Sequence, residues 1–274
     1  MNSGHEPLLT VIALAWREGE HLRHCLQSIE PLRALASCPT LVVLDSEADG
    51  LTRAIAREVA DRVEEVPFVN FSVQRNRALD LAHTPWVFFI DSDERCTSAL
   101  AREIACVIAP GTTRYSAYRV PRRNILFGRE VRHTGWWPDY QIRLLEKARC
   151  RYDERREVHE YPIVQGEVGT LHNPLIHYNY KSWRQFISKQ RAYAPLEAKA
   201  LYQAGRRARP RSLVGQPWRE FKRRFFEYQG YRDGPLGLVL SLAMALYTAE
   251  VYRQLLMLQR RRPLAPRDRS IDRN

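Results

Sequence analysis

An α/β fold with a mostly parallel, Rossmann-like central sheet, followed by a basic helical extension, is what this chain of 274 residues predicts. Three observations carry that expectation. Apolar runs of strand length alternate with helix-periodic segments over the first ninety residues. Two of those runs end abruptly in carboxylates, at Asp45 and at Asp91-Ser92-Asp93-Glu94. Positive charge is confined to the last third: residues 1–180 hold 22 Lys+Arg against 24 Asp+Glu, whereas residues 181–274 hold 21 against 7. With 45% hydrophobic and 10% aromatic residues, the composition is globular rather than disordered. The chain therefore reads as a domain over 1–180, a basic helical, membrane-associating extension over 181–262, and a charged, disordered tail over 263–274.

In order along the chain, Leu9–Leu14 is a buried strand, and Glu18–Ile29 sets Leu22, Cys25, Leu26 and Ile29 at helical spacing. Thr40–Leu44 is a strand ending at Asp45, Leu51–Ala60 a helix, Val63–Val66 a short strand, Phe71–Ala82 a helix, and Val87–Ile90 a strand. Such alternation argues for right-handed βαβ units, whose ligands bind outside the carboxyl ends of the strands. A helix at Ala99–Ile108 is followed by strands at Tyr115–Val120, Gln141–Leu145 and Leu171–Tyr178, separated by loops rich in Arg, Gly, Trp and His. Helices then run over Ser182–Tyr202, Pro217–Tyr228 and Leu236–Leu258, with Pro210 and Pro217 bracketing a connector.

Extended geometry at the end of the Val87–Ile90 strand would turn Asp91 and Asp93 to the same side. Two carboxylates so placed repel unless a cation lies between them, and hard oxygen ligands suit Mg²⁺ or Mn²⁺. Asp-x-Asp is also frequent by chance, so the motif gains weight only beside Asp45 at a second strand end. The five cysteines are odd in number and widely spaced, with no Cys-x-x-Cys, which argues against a zinc site or a disulfide framework and for a reducing compartment. The run from Leu8 to Trp16 lacks a basic leader and reads as a first strand, not a signal peptide. Leu236–Ala249 gives fourteen mostly apolar residues before Glu250, Arg253 and Gln254, short of the ~20 a span needs. An in-plane helix on an anionic membrane surface and a helix packed on the main domain are equally good readings.

The ordered motifs Thr10-Val11-Ile12…Glu18, Leu44-Asp45-Ser46, Gln74–Leu79 and Phe89–Arg95 resemble family 2 glycosyltransferases of the GT-A fold. Gly135–Leu144 and Val158-His159-Glu160 are similar to the branch holding bacterial lipopolysaccharide core β-1,4-glucosyltransferases. The resemblance covers roughly residues 8 to 180. It implies that Glu18 and Asp45 contact the base and ribose of a nucleotide-sugar, of which a UDP-sugar is the expected donor. It further implies that Arg75 helps hold the nucleotide, that Asp91 touches ribose or metal, and that Asp93 coordinates the metal. Asp139 stands where the family carries its catalytic carboxylate. Arg17 replaces the family's usual Asn before the first Glu, and Glu47-Ala48-Asp49-Gly50 replaces Gly-Ser-Thr-Asp.

Such an enzyme would move a sugar, glucose by this branch, with inversion and with Mg²⁺ or Mn²⁺. The acceptor would be a lipid-linked glycan at the cytoplasmic face of a bacterial inner membrane; a capsule precursor or a protein is the alternative acceptor. Pro138, Tyr140, Trp136 and Trp137 would give Asp139 partly apolar surroundings and so raise its pKa. A salt bridge to Arg143 is the competing reading for Asp139. Trp136 and Trp137 form a sugar platform or plain core. His159 ligates metal, binds diphosphate, orients the acceptor or is structural, with Glu160 beside it. His133, His172 and His177 read as structural. A basic nucleic-acid-binding protein is the reading from another class, but charge alone supports it and no nucleic-acid motif accompanies it. Nucleic acid is therefore not an expected partner.

Overall fold

The computed structural model describes residues 6–155 and 161–261. The chain divides into two units, Met1–Glu130 with Trp137–Asn179, and Val131–Trp136 with Tyr180–Asn274.

The first unit begins β1 (Leu9–Ala15), α1 (Glu20–Gln27), α2 (Glu30–Ala36), β2 (Thr40–Asp45), α3 (Gly50–Val59), β3 (Arg62–Val66), α4 (Phe71–Leu81), β4 (Trp86–Phe89). β1 pairs in parallel with β2 and β4, and β2 with β3. The apolar runs are continuous because both faces are covered. Leu9, Val11 and Ala13 of β1 pack with Leu22, Leu32 and Ile55, whereas Ile12 packs on the other side with Val87, Ala78 and Leu79. Caps fix two of the helix starts: Asp49 accepts from Thr52 N and Asn70 from Val73 N, both at 2.9 Å. The helix expected over Glu18–Ile29 is α1, and a second helix that the sequence reading did not foresee, α2, follows it directly. Ser28 Oγ turns back onto Cys25 O, and Pro31, which has no N–H, opens α2.

The unit continues with β5 (Glu94–Cys96), α5 (Ser98–Ile108), β6 (Ala117–Leu126), β7 (Arg129–Val131), β8 (Asp139–Glu146), β9 (Cys150–Tyr152), β10 (Pro162–Val164), β11 (Val168–Thr170) and β12 (Leu175–Tyr180). The main sheet runs β3-β2-β1-β4-β8-β6-β12-β5. It is parallel through β4, and β8 is antiparallel to both β4 and β6. β12 lies antiparallel to β5, with His177 opposite Glu94.

The second unit holds α6 (Trp183–Gln203), α7 (Ser212–Lys222) and α8 (Gly234–Arg261), with a π-helical turn at Arg223–Glu227 after α7. Pro217 does not bound the connector as expected; it lies inside α7, which gives up one backbone bond there. Residues 131–136 belong to this unit rather than to the first domain. Asp233 accepts from His133 N at 3.0 Å and from Thr134 Oγ1 at 2.9 Å, and Arg224 donates to Thr134 O at 2.7 Å. A Cβ on Gly237 would fall 1.9 Å from Gly230 O, so only glycine allows α8 to start this close to the preceding turn. α8 outruns the fourteen-residue apolar stretch read from the sequence. By length and composition it is long enough to cross a membrane, with 28% of its apolar window buried. The polar residues do not end it because they satisfy one another: Glu250 takes Arg253 at 2.6 Å and Gln254 at 2.7 Å.

Candidate active site

The parallel strands bring Trp16 to Glu18, Asp45 and Asp91 to one sheet edge, since β1, β2 and β4 all end there. A cleft of about 490 Å³ opens beside β1 and β2, lined by Trp16, Glu18, Asp45, Phe68, Phe71 and Gln74. Glu18 and Asp45, expected together, do converge in this cleft. Glu18 accepts from the backbone N–H of Trp16. Burial pushes its carboxyl above the usual range, and that hydrogen bond opposes the shift only in part. Asp45 accepts from Glu47 N at 2.9 Å. Phe68 and Phe71 meet edge to face, ring centres 5.2 Å apart, and both stand half exposed at the lip. Such a cleft offers exposed aromatic faces for one side of a planar ring, with two carboxylates close by.

The strand alternation expected to align Asp91 and Asp93 is broken. β4 ends at Phe89 and the chain turns at Ser92-Asp93, with Glu94 N donating to Asp91 O at 2.8 Å, so strand alternation no longer applies. The Asp91 carboxylate takes two guanidinium groups. Arg75 donates at 3.1 Å, and Arg143 donates to both of its oxygens. Burial would raise this carboxyl, but Arg143 and then Arg75 overcome it and hold the group far below the usual carboxylate range. The charge that neutralises Asp91 in this structure comes from Arg143 and Arg75. Arg75 stands behind Asp91 rather than open to a nucleotide: it is buried, with its guanidinium 5.1 Å from the centre of the Phe89 ring. Glu94, fully buried, binds Arg143 at 2.6 Å and Arg122 at 3.3 Å and accepts from Asp91 N.

Arg122 extends this network to Asp139, donating Nε at 2.9 Å and Nη2 at 2.6 Å to Oδ2. Asn124 also reaches Oδ2 at 3.3 Å, while among the described residues Oδ1 receives only Gln141 at 3.1 Å. The apolar environment expected around Asp139 is therefore absent, and so is the bridge to Arg143. Burial raises the carboxyl, but Arg122 and the bonds from Gln141 and Asn124 prevail and hold it below its usual range. With its amide nitrogen on Asp139, Asn124 presents Oδ1 to Nδ1 of His177 at 2.7 Å. That oxygen only accepts, so His177 carries its hydrogen on Nδ1. Nε2 lies 3.4 Å from Asp93 Oδ2, an ion pair when the ring is protonated and two neighbouring acceptors when it is neutral. Such a pair invites a cation between them. Among the described residues no three His, Cys, Asp or Glu side chains form a ready metal cage. One carboxylate and an imidazole, completed by phosphate oxygens, nonetheless suit Mg²⁺ or Mn²⁺.

The chain has relatives among known proteins. It is 27% identical over 261 residues to the lipopolysaccharide core biosynthesis glycosyltransferase LpsC of Rhizobium meliloti, covering 90% of this chain and 92% of that one. Uncharacterised glycosyltransferases of Rickettsia conorii and Rickettsia felis are 25% and 24% identical, over 75% and 79% of this chain and 76% and 81% of theirs. The chain is a glycosyltransferase. No family model matches it. A solved structure of Staphylococcus aureus TarS, residues 1–349, covers 92% of this chain and 91% of its own at 12% identity and a TM-score of 0.45.

The glycosyltransferase carries a mixed α/β sheet that is parallel through β4, and the candidate site lies along the carboxyl edge of those parallel strands. The Trp136 ring is half-buried and meets Tyr180 edge to face at 6.2 Å within the second unit. Trp137, 37% exposed, is open enough to meet a ligand. His159 and Glu160 lie outside the described residues. Sequence reasoning missed His177, Asn124, Arg122 and Glu94 as a connected set, and Phe68 and Phe71 at the cleft. The signal for the aromatics was present, as Phe68 and Phe71 flank the Asn70 cap of α4.

Proposed function

We propose that this glycosyltransferase moves a sugar from a nucleotide-sugar, a UDP-sugar in particular, to a lipid-linked glycan of the lipopolysaccharide core at the cytoplasmic face of the inner membrane. The likeness to LpsC over nine-tenths of both chains supports the acceptor class. Glucose as the transferred sugar, and assignment to family 2, rest on the motif resemblance. The observation that carries the reaction is the joining of Asp93, His177, Asn124 and Asp139 through adjacent side chains.

Glu18 and Asp45 hold the nucleoside in the cleft. Asp93 Oδ2 and Nε2 of His177 would hold Mg²⁺ or Mn²⁺, which when bound supplies charge neutralisation for the leaving diphosphate. Asp139 takes the proton of the acceptor hydroxyl on Oδ1, the oxygen with accepting capacity to spare. The hydroxyl oxygen forms a bond to the anomeric carbon as the carbon–phosphate-oxygen bond breaks, and the bonding pair leaves with the diphosphate. One displacement inverts the centre. Arg122 keeps Oδ2 occupied and the carboxylate ionised, so Asp139 is a weak but always available base.

A panel of nucleotide-sugars, assayed with purified lipopolysaccharide core acceptor with and without Mn²⁺, tests this reading. Metal-dependent release of UDP together with a product of inverted linkage is expected. Transfer that ignores chelator would remove the cation from the scheme, and binding of duplex DNA without sugar transfer would overturn the reading altogether.

A further inference from the structure

We propose that the groove between α6 and α8 is the seat of this protein on an anionic lipid bilayer, with acyl chains entering the groove while α8 lies in the membrane plane. The groove encloses about 750 Å³ and is lined by Trp183, Ile187, Val239, Leu242, Leu246 and Tyr247. Val239, Leu242 and Leu246 recur at helical spacing along one side of α8, and Leu246 is 71% exposed. The opposite side of α8 is already occupied: Val251 and Leu255 are buried against Ala194 and Ala198 of α6. An apolar stripe this open is costly in water unless something covers it.

Charge selects the cover. The connector between α6 and α7 carries Arg206, Arg207, Arg209 and Arg211, all exposed. It is pinned to the carboxyl end of α8, where Gln259 accepts from Ala208 N and donates to Arg206 O, both at 3.3 Å. One helix pair therefore offers an apolar trough along its length and a row of guanidinium groups at its end. Residues 181–274 as a whole carry 21 Lys+Arg against 7 Asp+Glu. Acyl chains beneath anionic headgroups match both features, each Lys or Arg near such a surface adding its own attraction. Crossing the bilayer is disfavoured because α6 covers one side of α8 and Glu250, Arg253 and Gln254 sit within it. This seat is independent of the transfer chemistry in the first unit.

The test uses the full chain with vesicles of phosphatidylglycerol and phosphatidylcholine, sedimented at low and high salt. Salt screens the arginines but not the groove, so a salt-resistant share of binding is expected. Leu242→Glu and Leu246→Glu should each lower vesicle partitioning about tenfold, with helix content and UDP binding unchanged. In a Cys106→Ser background, Leu246→Cys carrying an environment-sensitive fluorophore should shift to the blue on vesicles. Unaltered partitioning of both Glu variants, or an unshifted fluorophore on vesicle-bound protein, would overturn the seat. Retention of the protein on membranes after an alkaline carbonate wash would overturn it in favour of a spanning α8.

Discussion

Asn124 and His177 are joined by a 2.7 Å hydrogen bond in which the imidazole Nδ1–H donates, while the Asn124 amide nitrogen donates to Asp139. One buried amide thus sets the tautomer of the histidine beside Asp93 and steadies the carboxylate at β8. Asn124→Leu should lower turnover and Mn²⁺ affinity together, by about 10- to 100-fold. Calorimetric Mn²⁺ titration in the presence of UDP, beside turnover, checks it; loss of turnover at unaltered metal affinity would confine Asn124 to Asp139.

Asp139→Asn removes the proton acceptor at nearly constant shape. Turnover should fall ~10²–10⁴-fold with the nucleotide-sugar Kd unchanged, because Glu18 and Asp45 occupy a different cleft. The folded Asp139 carboxyl is depressed, so its base form persists as pH falls through the ordinary carboxylate range. The acid limb of kcat/KM that belongs to Asp139 should therefore lie below that range, which a pH–rate profile reads directly.

Asp93→Ala should abolish metal-dependent transfer and leave the melting temperature nearly unaltered. Its carboxylate is a third exposed and approaches His177 only to 3.4 Å, so little folding energy depends on it. Thermal denaturation together with a metal-dependence assay separates the two effects.

Arg143→Met should destabilise the fold by about 3–5 kcal/mol, since it strips Glu94 and Asp91 of the guanidinium they share. The Asp91 carboxyl lies far below its unfolded value, so its contribution is complete above the ordinary carboxylate range and fades as pH drops beneath it. The stability gap between wild type and variant should accordingly narrow in acid, measured by denaturant titration across pH.

The strands β1, β2 and β4 and the helices α3, α4 and α5 were legible because each is a run of one periodicity closed by a cap or a carboxylate. β5 was not. A three-residue strand holding a fully buried glutamate contradicts local propensity, and what offsets it comes from Arg143 and Arg122, 49 and 28 residues away. His177 was passed over for the same reason, since its partner Asn124 lies 53 positions off. Asp45 was readable from its strand end, and Glu18 from the motif resemblance. The partners of Asp91 and Asp139 were not, because sequence places an arginine near a carboxylate without saying which carboxylate it will take. Arg143, suspected for Asp139, went to Asp91, and Arg122 took its place.

The buried Glu94 also sets an order of events at the ribosome. It occupies β5 early in the chain, but the two cations that make its burial tolerable, and the strand β12 that pairs with it, are all synthesised later. A nascent chain ending after α5 would have to hide an uncompensated carboxylate or leave that corner of the sheet open. The edge of the sheet that β5 forms is finished only when the last strand arrives.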